Sequence, residues 1–217
     1  MFKARFHELS VEEVANTITH GFGFILSVIG FVILLLMASL RGGGMLIASC
    51  FVYGLSLVVL YAASTAYHGV IAPEKKQKLQ IVDHCGIYLL IAGSYTPFGT
   101  VILGSPGGRV LLVLIWAFAG LGITVKLLFK NRFSAASVVS YLIMGWIGVF
   151  AIQPLLAALG FAAIALAVAG GVAYSLGVIF FAMQRLPHNH AIFHVFVLIG
   201  SVLHYLAVVM YVVPSNI

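Results

Sequence analysis

Seven apolar stretches, each closed by a turn or a charged cluster, make up most of this chain. The first is prepared by Ser10-Val11-Glu12-Glu13, which reads as a capping box, with Ser10 as N-cap and the Glu13 side chain returning to the Ser10 backbone N–H. A helix therefore starts ahead of its apolar part, roughly residues 18 to 40, and that part is long enough for the ~20 residues of a bilayer span. Arg41-Gly42-Gly43-Gly44 is a turn. A second span, about 45 to 68, is ended by Gly69 and Pro73 before the charged loop Glu74-Lys75-Lys76-Gln77-Lys78. The third, about 80 to 103, carries Asp83 and His84 near its start and Pro97 toward its end, where a kink is expected. After the turn Gly104-Ser105-Pro106-Gly107-Gly108, a fourth span of about 107 to 129 leads to Lys130-Asn131-Arg132. The fifth, about 135 to 153, stops at Gln153-Pro154. The sixth, about 161 to 184, is rich in Gly and Ala, which suits close helix packing, and the seventh covers about 190 to 213. No strand-like alternation, soluble domain or linker interrupts the series, so the expected fold is all-α, a single seven-helix transmembrane domain over residues 1–217.

Composition confirms the solvent these helices meet. Hydrophobic residues make up 63% of the 217 positions and charged residues 7%, against about 25% charged in ordinary soluble domains. The first apolar run follows Glu8, Glu12 and Glu13 and precedes further runs without an A-x-A-like site, so no cleaved signal peptide is expected. Cys50 and Cys85 fall in different spans and are expected as free thiols. The net charge of +6 is spread over short loops rather than gathered in a stripe, which excludes nucleic acid as the natural partner and points to anionic lipid headgroups. The same charges orient the bundle. Lys3, Arg5, Lys75, Lys76, Lys78, Lys126, Lys130, Arg132 and Arg185 share one side, and Arg41 and Arg109 lie on the other. Under the positive-inside rule the N-terminus is cytoplasmic and, with an odd number of spans, the C-terminus is outside.

That topology brings chemistry together. His190 and His194 are four residues apart at the start of span seven and share a helix face. Two imidazoles so placed are able to hold one metal ion by a ring nitrogen each, the alternative being two histidines hydrogen-bonded at a helix end. His68 ends span two and Asp83 begins span three, so all four lie at the cytoplasmic side. Three histidines from two helices would make a three-ligand site with a fourth position open to water, the pattern of catalytic zinc. Asp83 is the only acidic residue inside an expected span; membrane carboxylates are paired or functional. It would hold and deprotonate the water at the open position, or else contact a Lys or His to stabilise the bundle. Ser64 is four residues before His68, on the same face. His204 is ten residues beyond His194, about 15 Å deeper along a helix and too far to reach the same ion. It reads as a histidine hydrogen-bonded within the bundle. His84 points about 100° away from Asp83, and Asn16 and His20 are read as either helix–helix hydrogen bonds or supports of the site.

At these residues the chain resembles the haemolysin III family, the bacterial branch of the progestin and adiponectin receptor superfamily, itself related to the alkaline ceramidases. The resemblance covers nearly the full length. It is carried by Glu12-Glu13-Val14-Ala15-Asn16 with Thr19-His20-Gly21, by Ser64-Thr65-Ala66-Tyr67-His68, by the run from Asp83-His84-Cys85-Gly86 to Tyr95-Thr96-Pro97, by His190-Ala191-Ile192-Phe193-His194, and by Gly200-Ser201-Val202-Leu203-His204. It implies a seven-helix protein of the bacterial inner (plasma) membrane with zinc near the cytoplasmic face, held by His68, His190 and His194, and with Asp83 and Ser64 around the open position. In the ceramidase relatives such an arrangement hydrolyses a lipid amide. The expected function is a zinc-dependent hydrolase of a lipid-like amide or ester at the inner leaflet, with membrane lipids as partners. Two further classes stay open: a receptor-like regulator of membrane homeostasis in which zinc is structural, and a pore-forming haemolysin. The scarcity of charge inside the spans argues against a simple pore.

Overall fold

A computed structural model describes residues 9–130, 132 and 134–215, with Ser134 described by its backbone alone. Lys3 and Arg5, which enter the orientation argument, Glu8 of the head segment and Asn131 of the fourth loop lie outside the described residues. The described elements are all helical: α1 (Val11–Arg41), α2 (Gly44–His68), α3 (Pro73–Val101), α4 (Pro106–Phe129), α5 (Ser134–Trp146), α6 (Ile152–Ala182) and α7 (Asn189–Ala207). A 3₁₀ turn, Ile147–Ala151, joins α5 to α6, and a π-helical turn, Val208–Val212, extends α7.

Helix α1 is inverted in polarity relative to a helix of a soluble protein. In α1 the buried positions are Asn16, His20, Gly23, Ser27, Leu34 and Ala38, whereas Ile18, Phe22, Ile25, Ile29, Val32 and Leu36 are exposed. Both sets recur at helical spacing, so one face, Leu34 apart, is small or polar and turned inward while the other is bulky, apolar and turned out. Such an exterior is stable only in an apolar solvent. Five segments are long and apolar enough to cross a membrane: α1, α2, α4, the stretch Ala135–Ala182 and Asn189–Val212. The chain is a multi-pass membrane protein, and the bacterial inner membrane fits it.

The sequence places a break at Gln153-Pro154, but the helix runs through it. Pro154 occupies the first turn of α6, where a backbone N–H has no intrahelical partner to lose. The irregular points are the 3₁₀ turn just before and Gly160, whose φ of 80° and ψ of 171° interrupt α6. A side chain is poorly tolerated at that φ.

α2 is central, flanked by α1 and α3, and α7 packs between α6 and α1. Gly86 of α3 lets the α2 backbone approach: a Cβ there would stand 3.2 Å from Leu60 Cα. Polar contacts fix the register deeper in the bundle. The Tyr61 hydroxyl donates to Ser201 Oγ at 2.8 Å, Tyr174 meets the same oxygen at 3.0 Å, and Tyr205 donates to the Gly30 carbonyl at 2.8 Å. These bonds tie α2 and α6 to α7, and α7 to α1, where few apolar contacts would discriminate one register from another. Cys50 and Cys85 are unpaired thiols, as expected.

Candidate metal centre

α2 ends at His68, and α7 presents His190 and His194 one turn apart near its start. The structure brings these three together: one ligand nitrogen of each lies within 4.8 Å of the others. Nitrogens bound to a tetrahedral ion at 2.0–2.1 Å stand about 3.4 Å apart, so small side-chain adjustments would close them on one ion. The rings meet edge to face, His190 against His194 at 4.6 Å and His68 against His190 at 4.9 Å between centroids.

Neighbours decide which nitrogen of each ring is available. His68 Nδ1 lies 2.6 Å from Glu13 Oε2. A carboxylate only accepts, so Nδ1 carries a proton, and the neutral ring then offers its lone pair at Nε2, which is buried with no hydrogen-bond partner among the described residues. His194 Nδ1 lies 3.2 Å from Thr19 Oγ1, whose own hydrogen goes to the Ala15 or Asn16 carbonyl at 2.9 Å. Thr19 therefore accepts from Nδ1–H and leaves the His194 Nε2 lone pair free. Two buried imidazoles held in the tautomer that offers Nε2 are the donor set a zinc-type ion takes, each oriented by a second hydrogen bond.

Glu13 was expected to complete the capping box. Only half of the box forms: Ser10 Oγ accepts from the Glu13 amide at 3.2 Å. The Glu13 carboxylate instead bridges His68 and Lys76, whose Nζ lies 2.8 Å from Oε1. Its importance to the site is invisible in sequence, because the partner is 55 residues away and a local use for the side chain was at hand.

Ser64 and His68 are fully buried on one face of α2. The Ser64 hydroxyl meets His20 Nδ1 at 2.6 Å and stands beside the buried Asp83 carboxyl. Asp83 is buried and forms no ion pair with a Lys, Arg or His among the described residues, so the bundle-stabilising contact considered for it is not formed. His20 stacks on His194 with 3.4 Å between ring centroids, and its bond to Ser64 makes it a link between α1 and α2. His84 faces the same space but stands outside the triad, with its Nδ1 buried and unpartnered. His204 lies deep in the bundle, stacked against Tyr174.

His190, His194, Ser64 and Asp83 line one end of a cavity of about 730 Å³ that continues between the helices to Trp146 and His204. Its size falls within the ~300–1,000 Å³ usual for small-molecule sites. Leu60, Ile91, Phe98 and Val197 make much of the wall apolar.

Fold and site together define a helical membrane protein with a three-histidine cluster opening on a largely apolar cavity. Residues 9–205 match the family described as haemolysin-III related, and the chain belongs to that family. It is 46% identical over 204 residues to "Hemolysin-3" of Bacillus cereus, covering 94% of this chain and 93% of the relative, and 42% identical over 202 residues to "Hemolysin-3 homolog" of Bacillus subtilis (strain 168), covering 93% and 95%. It is also 29% identical over 219 residues to "Monocyte to macrophage differentiation factor" of Homo sapiens, covering 97% of this chain and 89% of the relative.

Proposed function

We propose that this chain is a seven-span, zinc-dependent hydrolase that cleaves an amide or ester bond of a lipid-like substrate at the cytoplasmic leaflet, with its N-terminus in the cytoplasm. The observation that carries the reading is the meeting of three converging imidazoles, a buried carboxyl and a buried hydroxyl at one end of an apolar cavity. His68, His190 and His194 would hold the ion, leaving a coordination position open. When bound, zinc supplies Lewis acidity toward a carbonyl oxygen and lowers the pKa of water.

The remaining steps belong to the protein. The apolar walls hold the acyl chain and bring its carbonyl carbon to the end of the cavity where Asp83 and Ser64 lie. Asp83, free of an ion pair among the described residues, takes the proton as water adds to that carbon. The C–N or C–O bond then breaks, and the proton passes from Asp83 to the departing amine or alkoxide. Ser64, hydrogen-bonded by His20, is placed to donate to the developing oxyanion or to hold Asp83 in its reactive rotamer.

Zinc content, melting temperature and turnover on a panel of lipid amides and esters, measured on one preparation of Asp83→Asn with Ser64→Ala as a milder companion, test this. Asp83→Asn is expected to keep its metal and lose about 10²- to 10⁴-fold in rate. Loss of metal and stability together, with no turnover in the parent protein, would favour the receptor-like regulator with structural zinc.

A further inference from the structure

α4 turns Leu111, Ile115, Ala119 and Lys126 inward at helical spacing, while Leu127 and Leu128 beside the lysine are exposed. Lys126 is 2% exposed and is the one buried Lys or Arg among the described residues. A lysine near the end of a membrane helix ordinarily extends its ammonium out to the headgroup region. This one points the other way.

Its ammonium has three hydrogens, yet among the described residues the hydrogen bond it makes is to Ser137 Oγ at 3.4 Å. No carboxylate among the described residues pairs with it, although Asp83 faces the same cavity. His84 lines the same cavity and has a buried Nδ1 without a partner among the described residues. Lys126, Ser137 and His84 all line the cavity at the end that holds Asp83 and the histidine centre. A buried, unpaired charge is costly, and an ionisable side chain kept inside a membrane bundle marks a ligand or substrate site by default.

We infer that the cavity's occupant is an acyl lipid with an anionic head group, phosphate or carboxylate, and that Lys126 is the residue that binds the head, assisted by Ser137 and His84. This rests on the lipid-hydrolase reading for the class of occupant and adds to it the charge and placement of the head. The apolar walls accept the chain, while the ammonium supplies a charge-assisted hydrogen bond that a neutral head cannot match.

The test is equilibrium binding of radiolabelled palmitoyl-lysophosphatidate, palmitate and monopalmitoylglycerol to the full-length protein in neutral detergent micelles. The parent is expected to bind at least one anionic lipid about 10-fold or more tightly than the neutral glyceride; which one leads distinguishes a phosphate from a carboxylate head. Lys126→Met should abolish the preference without weakening glyceride binding, Lys126→Arg should retain it, and Lys78→Met, at an exposed site, should leave it unchanged. Lys126→Gln, which keeps a polar partner for Ser137, replaces Lys126→Met if that variant does not fold. Equal affinity for charged and neutral lipids in the parent, no binding of any of the three, or an unchanged preference in Lys126→Met overturns the inference. Turnover on the same preparations separates it from the hydrolase reading: charge-selective binding without turnover sinks only the latter.

Discussion

Replacing Glu13 by Gln removes one negative charge and nothing else of the side chain's shape. In the folded protein that charge accepts the His68 Nδ1 hydrogen at 2.6 Å and the Lys76 ammonium at 2.8 Å. The amide substitute presents either a weaker acceptor or an N–H donor to His68; in the second case the ring flips or changes tautomer and withdraws Nε2 from the metal. Partners of this kind are worth about 10- to 100-fold in metal affinity, equivalent to about 1.4–2.7 kcal/mol at 1.36 kcal/mol per decade. Helix α1 should survive, since its cap runs from the Glu13 amide to Ser10 and does not use the carboxylate. Lys76→Met tests the outer contact of the same chain. Both groups of that pair are about one-quarter exposed, and exposed ion pairs contribute about 0–1 kcal/mol, so its effect should stay below about 5-fold. The assay is competition for zinc with a chelator of known affinity, with the melting temperature of the apoprotein as the control for folding. A Glu13→Gln protein that folds and binds zinc as tightly as the parent would refute the reasoning, because the His68 tautomer would then not depend on the carboxylate.

A reporter fused at the C-terminus should fall outside the cytoplasm, given the distribution of Lys and Arg; a cytoplasmic signal would mean that a span had been miscounted. Gly86→Leu should lower the melting temperature in detergent, because the added side chain meets the Leu60 backbone at a point where a Cβ alone already stands at 3.2 Å. Overpacking of this kind costs about 1–3 kcal/mol, and an unchanged melting curve would show that α2 and α3 do not pack as described.

Much of the centre was legible because its signals are local or follow from topology. The i, i+4 spacing of His190 and His194 and the placement of His68 and Asp83 at one end of the bundle required only helix geometry and the order of apolar runs. What escaped depends on which way a side chain turns. Glu13 had a plausible use in the cap, and only the folded chain shows it drawn to His68. Lys126 read as one more basic residue ending a span, since its inward direction is set by the packing of α4. The break assigned to Pro154 moved to the 3₁₀ turn and Gly160 because proline is costly only where it removes a hydrogen bond that the helix would otherwise make. His20 was recognisable as a polar residue in the right region, but its stacking on His194 and its bond to Ser64 arise from contacts between distant parts of the chain.

The most direct measurement is the metal content of the purified full-length protein beside that of His68→Ala, His190→Ala and His194→Ala, each checked for folding by its elution profile. The three-histidine centre predicts about one zinc per chain in the parent and its loss in each variant, because three ligands are the minimum for a catalytic site. A folded parent that takes up no zinc when supplied with it, or variants that retain it in full, would contradict the account.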